Sequence, residues 1–271
     1  MKKNTQRNLC VFLLQNTIFE KNIFLTKITA IIPTLNEQDN IQRAINSVLF
    51  ADEIIVIDSF STDETVAIVK KNKNVTLLQR KFDDFSTQKN YAIKKAINNW
   101  VLVLDADEEL PKKLQKEIKT TVKNPNDSVA FYIKRNFFYR GTKINFSGFR
   151  TSKVKRLFLK NECEYKGVVH EELVCNGKTS FLKNKLNHYS YKNSEHYKQK
   201  LNQYAQLQAK ELFAKGKKAT IFHTLIKPPA RFLIHFIIRF GFLDGFKGLQ
   251  LSYLMAYGVS KRYEYLDKLY K

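Results

Sequence analysis

The stretch VLVLDADEEL, residues 101–110, ends an apolar run with Asp105, Asp107, Glu108 and Glu109 gathered within five positions. Neighbouring carboxylates repel, and an unpaired one is costly to desolvate, so a positive partner is expected here. Asp105-Ala106-Asp107 has the spacing of a D-x-D pair, which on an extended or turning segment can bring two carboxylates to one hard cation. Mg²⁺ uses one or two carboxylates in this way and completes its shell with phosphate oxygens and water. The same acids would also suit a solvated strand end or the cap of a following helix. Glu108 and Glu109, just before Pro111, take that second reading, as acids complementing a helix start.

The surrounding pattern says what must hold these residues. ITAIIP (28–33), EIIVID (53–58), VTLLQ (75–79) and WVLVLD (100–105) read as short buried strands. Between them NEQDNIQRAINSVLF (36–50), STDETVAIVKKN (61–72) and FSTQKNYAIKKAIN (85–98) have helical spacing, with Ser61 or Thr62 and Ser86 as N-caps. Such alternation implies βαβ units and a parallel sheet buried on both faces. Pro111 opens a further helix over 111–123, SVAFYIKRNFFYRG (128–141) alternates like an exposed or edge strand, and 194–215 reads as helical. Open α/β sheets bind ligands beyond the carboxyl ends of their strands, which here carry PTLNE, DSFSTDET and DADEE. Neither G-x-G-x-x-G nor a P-loop is present, which argues against dehydrogenases and NTPases. PTLNEQDN is also not the glycine-rich basic loop of sugar-phosphate nucleotidyltransferases.

Taken in order, ITAIIPTLNEQDNI, EIIVIDSFSTDET, QKNYAIKKA and WVLVLDADEEL resemble the nucleotide-sugar-binding half of family 2 glycosyltransferases. Further along, KVKRLF (153–158), YKGVVHEELV (165–174), LNHYSY (186–191) and HYKQKLNQYAQLQA (196–209) resemble the branch that builds bacterial lipopolysaccharide core. The resemblance spans residues 28–265 and implies an α/β fold of GT-A type, with a Rossmann-like, mostly parallel sheet and flanking helices. The chain divides accordingly into an N-terminal extension (1–27), a catalytic domain (28–215) and a basic amphipathic helical region (216–271). The catalytic domain has a donor half over 28–125 and an acceptor half over 126–215.

Site roles follow from the same resemblance. Pro33, Asn36 and Glu37 lie in the loop under the nucleotide, Glu37 near the ribose or base; Asp58 contacts the uracil and Asp63 closes that loop. Lys89 of QKN lies beside the donor phosphate or sugar. Asp105 and Asp107 form the D-x-D pair, with Asp107 the direct ligand of Mg²⁺ or Mn²⁺. His188 in NHYSY is a third metal ligand, a diphosphate contact, or a buried structural histidine. A carboxylate must take the proton of the attacking sugar hydroxyl. In VVHEELV the candidates are Glu171 and Glu172, beside His170, and the resemblance selects Glu171. The implied reaction is inverting, metal-dependent transfer of a hexose, glucose first, from a UDP-sugar to a lipid-anchored saccharide of the lipopolysaccharide inner core. Capsule, exopolysaccharide or another lipid-linked glycan is the alternative acceptor class.

The charge balance bears on partners. Lys and Arg number 47 against 25 Asp and Glu, a net +22, and residues 178–271 hold 18 of the former against 5 of the latter. Nucleic acid, phosphorylated substrates and acidic membranes would all be attracted. PPARFLIHFIIRFGFLDGFKGLQLSYLMAYGV (228–259) separates them: Arg231, His235 and Arg239 at i, i+4 and i+8 make one cationic helical face beside Phe232, Leu233, Phe236, Ile237 and Phe240. That is the profile of a helix lying in a membrane interface, and no nucleic-acid module is recognisable. A helix packed on the catalytic domain with its basic stripe in water is the alternative. KPPARF and GFLDGFKG also recur in the resembled branch, whose acceptors are lipid-anchored, so the resemblance implies peripheral attachment to the anionic cytoplasmic face of the inner membrane, with no nucleic acid. No run approaches the ~18 apolar residues of a spanning helix. MKKNTQRNLCVFLLQN imitates a signal peptide, but its apolar run is short and no cleavage site follows. Cys10, Cys163 and Cys175, with no C-x-x-C pair, read as reduced thiols of a cytosolic protein.

Overall fold

The structure, a computed structural model, describes residues 26–149, 152–167, 171–191 and 194–271. The chain divides into two compact units, residues 26–134 with 153–186, and residues 135–152 with 187–271.

In the first unit β1 (Ile28–Thr34), β2 (Glu53–Asp58), β3 (Thr76–Gln79) and β4 (Trp100–Val103) pair in parallel in the order β3-β2-β1-β4. Helices α1 (Ile41–Val48), α2 (Thr65–Lys70) and α3 (Phe85–Lys95) are the crossovers. Side chains alternate across a strand, and both faces are apolar. Ala30, Ile32, Val56 and Leu102 pack with Ile41 and Ile45 of α1, and Ile31, Ile55, Ile57, Val101 and Val103 with Ala92 and Ile93 of α3. Along the chain follow β5 (Glu108–Glu109), α4 (Lys112–Lys123), β6 (Ser128–Tyr139), β8 (Lys153–Leu159), β9 (Cys163–Lys166), β10 (Glu172–Cys175) and β11 (Lys178–Tyr191), of which β6 from Arg135 and β11 from Asn187 are assigned to the second unit. The sheet extends as β4-β8-β6-β11-β5, with β8 antiparallel to both β4 and β6. This is the mixed α/β, GT-A-like fold that the resemblance implies.

Several local expectations are corrected. β6 is interior, flanked by β8 and β11, not an edge; its alternation reflects two unequally covered faces. α2 begins at Thr65, because Ser61 and Thr62 serve the preceding loop. Asp84, not Ser86, caps α3, accepting a hydrogen bond from Thr87 N at 2.8 Å. α4 starts at Lys112 after Pro111 and has no acid in its first turn, so Glu108 and Glu109 are strand residues and not helix-start acids. Cys163 and Cys175 are joined as a disulfide, against the expectation of reduced thiols. They are register partners across the β9–β10 hairpin, and their Cα atoms lie 4.1 Å apart. Cys10 lies outside the described residues.

The second unit contains β7 (Thr142–Ile144), paired with the far end of β6, and α5 (Ser194–Ala214), α6 (Lys227–Leu233) and α7 (Gly245–Leu269). Phe137, Tyr139, Ile144, Tyr197, Leu251 and Leu254 form one core, and Ala209, Val259, Tyr263 and Leu266 another. The helical face expected across Arg231, His235 and Arg239 is distorted, and the helical path is interrupted before α7. Phe222–Ile226 and Ile234–Ile238 widen into π turns, Phe240 is left-handed (φ 55), and Gly241–Asp244 is a 3₁₀ turn. Pro228 and Pro229 have no N–H for the helical ladder. A Cβ on Gly248 would collide with the Gly241 carbonyl, so this glycine permits close backbone approach.

The widened turn also breaks the cationic stripe. His235 is 3% exposed, its Nδ1 lying 2.7 Å from the Ser147 carbonyl, so it does not share a solvent face with Arg231 and Arg239. Burial pushes the His235 pKa down; the Ser147 bond opposes this, and the nearby Arg231 and Arg239 charges reinforce it. Among the described residues no helix is long and apolar enough to cross a membrane.

A polar position in β1 tests how the sheet is locked. Thr29, fully buried, donates to Glu53 Oε2 at 2.6 Å and accepts from Asn98 Nδ2 at 3.1 Å, tying β1 to β2 and to the turn before β4. Thr29→Val keeps the shape but strands the Asn98 amide. A loss of about 1–3 kcal/mol is expected in urea unfolding.

Candidate active site

The loops after β1 and β2 are laced together. Asn36, left-handed (φ 56) as its type tolerates, accepts from Thr62 N at 2.8 Å and donates its backbone N–H to Ser61 Oγ at 2.9 Å. Glu37 N donates to Thr65 Oγ1 at 2.8 Å, and its carboxylate accepts from Asn40 Nδ2 at 2.7 Å. Pro33 sits within β1, opposite Ile57. Asp58 is fully buried at the end of β2, and its carboxylate accepts from Ser61 N, Ser61 Oγ and Gln79 Nε2. Asp63 accepts from Gln38 N and Thr65 N. Slight burial works against its charged form, but the hydrogen bonds from Thr65 and Gln38 outweigh this and hold its carboxyl below the usual carboxylate range. Phe60, left-handed (φ 63) and 53% exposed, projects from the same loop.

After β4 the chain turns sharply. Glu108 N donates to Asp105 O at 2.9 Å, and Asp105 N donates to Glu108 Oε2 at 3.1 Å, closing the turn in both directions. The positive partner of the acids is Arg156 of β8, which is 4% exposed. Its Nη2 donates to Glu108 Oε1 at 2.8 Å and to Asp105 Oδ2. Lys89 of α3, 3% exposed, reaches Asp105 Oδ1 at 3.7 Å and Glu171 Oε1 at 2.9 Å, and its ammonium lies 5.0 Å from the Tyr165 ring centroid. Burial would push both cations toward neutrality. The surrounding carboxylates outweigh it, Asp105 foremost, so Lys89 is held above its ordinary pKa and Arg156 well above. Glu108 is fully buried, while the side chains of Asp105 and Glu171 remain partly exposed. Asp107 is half-buried.

One face of α3 anchors the segment before Glu171. Ser86 Oγ donates to Gly167 O at 2.5 Å, and Asn90 makes paired bonds with the Tyr165 backbone at 2.8 and 3.0 Å. Gln88 reaches Ser59 Oγ in the β2 loop. The spacing of Ser86, Lys89 and Asn90 places all three on adjacent positions of the helix surface. Glu171 and Glu172 separate cleanly. The first meets Lys89, whereas the second points outward with a 76% exposed side chain, 3.9 Å from Lys155. His170 lies outside the described residues. His188 belongs to the second unit, where its ring packs edge-on to Phe137.

The donor set fits a divalent cation of a particular kind. Asp105 and Asp107 offer hard oxygen ligands, yet among the described residues no group of three or more His, Cys, Asp or Glu could hold a metal by itself. An ion drawing the rest of its shell from diphosphate and water suits such a set. Arg156, Phe60, Ser86 and Asn90 were not anticipated from the sequence. For Arg156 the signal was the unbalanced acid cluster itself, but which of 47 cations answers it depends on strand order.

Comparison with known proteins covers most of the chain. The family described as Glycosyl transferase family 2 matches residues 29–177. An uncharacterized glycosyltransferase of Rickettsia typhi is 34% identical over 258 residues, spanning 90% of this chain and 88% of its own length. The lipopolysaccharide core biosynthesis glycosyltransferase LpsC of Rhizobium meliloti is 24% identical, spanning 87% of this chain and 93% of its own. The crystal structure of S. aureus TarS 1-349 in complex with UDP-GlcNAc superposes with a TM-score of 0.47 at 17% identity, covering 90% of this chain and 91% of that one.

Two tests follow from the site. Arg156→Met leaves Glu108 buried without its cation and is expected to cost about 3–5 kcal/mol in chemical unfolding, with recovery in the Arg156→Met/Glu108→Leu double variant. Asp63, with its depressed pKa, adds stability above the unfolded-state value that is lost as pH falls through the carboxylate range. Asp63→Asn should lower the melting temperature at neutral pH and flatten its decline below about pH 4.

Proposed function

The chain belongs to glycosyl transferase family 2, and we propose that it transfers a hexose, glucose first, from a UDP-sugar to a lipid-anchored saccharide with inversion at the anomeric carbon. One arrangement carries this reading: the partly exposed carboxylates of Asp105 and Glu171 share the buried Lys89 between them, at the carboxyl end of β4. An acceptor hydroxyl needs a base, and a departing diphosphate needs positive charge, at such a point.

In this mechanism the laced loops holding Asn36, Glu37, Asp58 and Asp63 receive the nucleotide, with Pro33 at their base. A divalent cation, Mg²⁺ or Mn²⁺, held by Asp107 with help from Asp105, would offset the charge that builds on the UDP leaving group. Lys89 orients Glu171 and adds positive charge beside the donor phosphate. Glu171 takes the acceptor proton as the oxygen–anomeric carbon bond forms and the bond to the diphosphate breaks. His188 is a further candidate for the metal or diphosphate. His170 and Glu172 flank the acceptor.

The likeness to LpsC supports a lipopolysaccharide core saccharide as acceptor. A lipid-anchored acceptor also suits the second unit, which exposes Ile221, Leu225, Ile238, Leu243 and Phe246 among its cations. Exposed apolar residues among basic ones favour peripheral attachment to an anionic bilayer, here the cytoplasmic face of the inner membrane.

UDP with Mn²⁺ or Mg²⁺ is expected to raise the melting temperature, and ADP is not; a UDP effect that ignores the metal overturns the metal-dependent mechanism. Glu171→Gln should keep that shift while transfer falls by roughly 10²–10⁴-fold. Full activity in this variant removes Glu171 as the base.

A further inference from the structure

Between residues 227 and 262 the sequence carries one carboxylate, Asp244, among Lys227, Arg231, Arg239, Lys247, Lys261 and Arg262. Asp244 is engaged by the backbone N–H groups of Asn145 and Phe146 at 3.0 and 2.9 Å. The lysines have partners: Lys227 meets Tyr263 Oη, Lys247 meets Thr142 and Lys261 pairs with Glu264. Arg231, Arg239 and Arg262 make no ion pair among the described residues.

The three arginines are nevertheless held close together. The Ser147 backbone pins the stretch from His235 to Arg239, accepting from His235 Nδ1 at 2.7 Å and donating to Arg239 O at 3.0 Å. The Arg239 guanidinium lies against Gly148, where a Cβ would strike it. The Lys227–Tyr263 bond, 2.7 Å long, joins the start of α6 to the part of α7 that carries Arg262. Arg262 Nε and His235 Nε2 are both buried without a hydrogen-bond partner. Burial, and then the charges of Arg239 and Arg262, hold the Arg231 guanidinium below its ordinary pKa. Crowded like charges without a counter-charge are a cost that an anion relieves, and guanidinium–phosphate pairing is among the strongest such contacts.

The surroundings decide what kind of anion. Ile237, Ile238, Phe240, Leu243 and Phe246, each more than half exposed, occupy the same segment. A free phosphate has no use for that apolar surface, whereas an amphiphile uses both parts. Building on the membrane attachment proposed above, we propose that Arg231, Arg239 and Arg262 form a site for the phosphate headgroup of a membrane lipid. The exposed Ile, Leu and Phe residues enter the acyl boundary around it.

The test floats the full chain with vesicles of phosphatidylcholine alone and of phosphatidylcholine with phosphatidylglycerol. Wild type should bind the second kind, and Arg231→Gln/Arg239→Gln should lose affinity on the order of fivefold for each arginine. Lys112→Gln/Lys113→Gln, which removes equal charge from the exposed start of α4, should lose less than about twofold. Equal losses in the two double variants, or none in the arginine pair, overturn the site. Inorganic phosphate that stabilises wild type but not the arginine variant, with no preference between vesicles, assigns it to free phosphate and overturns the lipid. Wild type indifferent to both vesicles removes the site and membrane attachment together. Donor hydrolysis in solution, expected at the wild-type rate in both double variants, shows that they are folded. Its loss in wild type would instead count against the transferase reading.

Discussion

The neutralisation of Asp105 and Glu108 by Arg156 is the constraint on which the active centre depends. Glu108 has no exposure at all, and removing the Arg156 guanidinium would leave it buried without its partner, at a large cost. The pair also explains why the turn after β4 is tight. Glu108 bonds back to the Asp105 backbone while both side chains converge on one guanidinium. With Asp105 held from below by Arg156 and from the side by Lys89, the acids at the strand end become a rigid arrangement instead of a repelling cluster.

Lys89 extends that arrangement toward Glu171. A long, flexible side chain costs rotamer entropy to immobilise, and here its burial against Tyr165 settles its position before any ligand arrives. The helix carrying it also binds the segment around Tyr165 and Gly167 through Asn90 and Ser86. One turn of α3 therefore sets both the cation and the approach of the chain to Glu171. The QKN stretch is informative for this reason: neighbouring residues on one helix serve three different partners.

The second unit shows the opposite economy. Its helix widens into a π turn at Ile234–Ile238 and stops at Phe240, with His235 buried and the arginines left without counter-charges. Like charges kept together and apolar side chains kept in water are both unfavourable in isolation. Their coincidence in one segment is what points to a partner carrying phosphate and hydrocarbon.

Much of the architecture was legible in the sequence, because parallel strands buried on both faces are continuous β-branched runs and their crossovers have helical spacing. ITAIIP, EIIVID and WVLVLD appear as β1, β2 and β4 with the carboxylates at their ends. The D-x-D spacing likewise marked Asp105 and Asp107 as candidates, and the family resemblance added Lys89 and Glu171. The pairing of Arg156 with the acids was not legible, since it requires β8 to lie antiparallel beside β4, and nothing local in KVKRLF states its neighbour. The different fates of Glu108 and Glu109, of Glu171 and Glu172, and of His235 between two arginines were equally hidden. Adjacent residues of the same type look alike in sequence; burial and the partner across the fold tell them apart. Sequence alone determined which elements form and what chemistry their ends can offer, because periodicity and residue type are local properties. Tertiary structure decided which charges meet, because the energy of an ion pair depends on distance and desolvation.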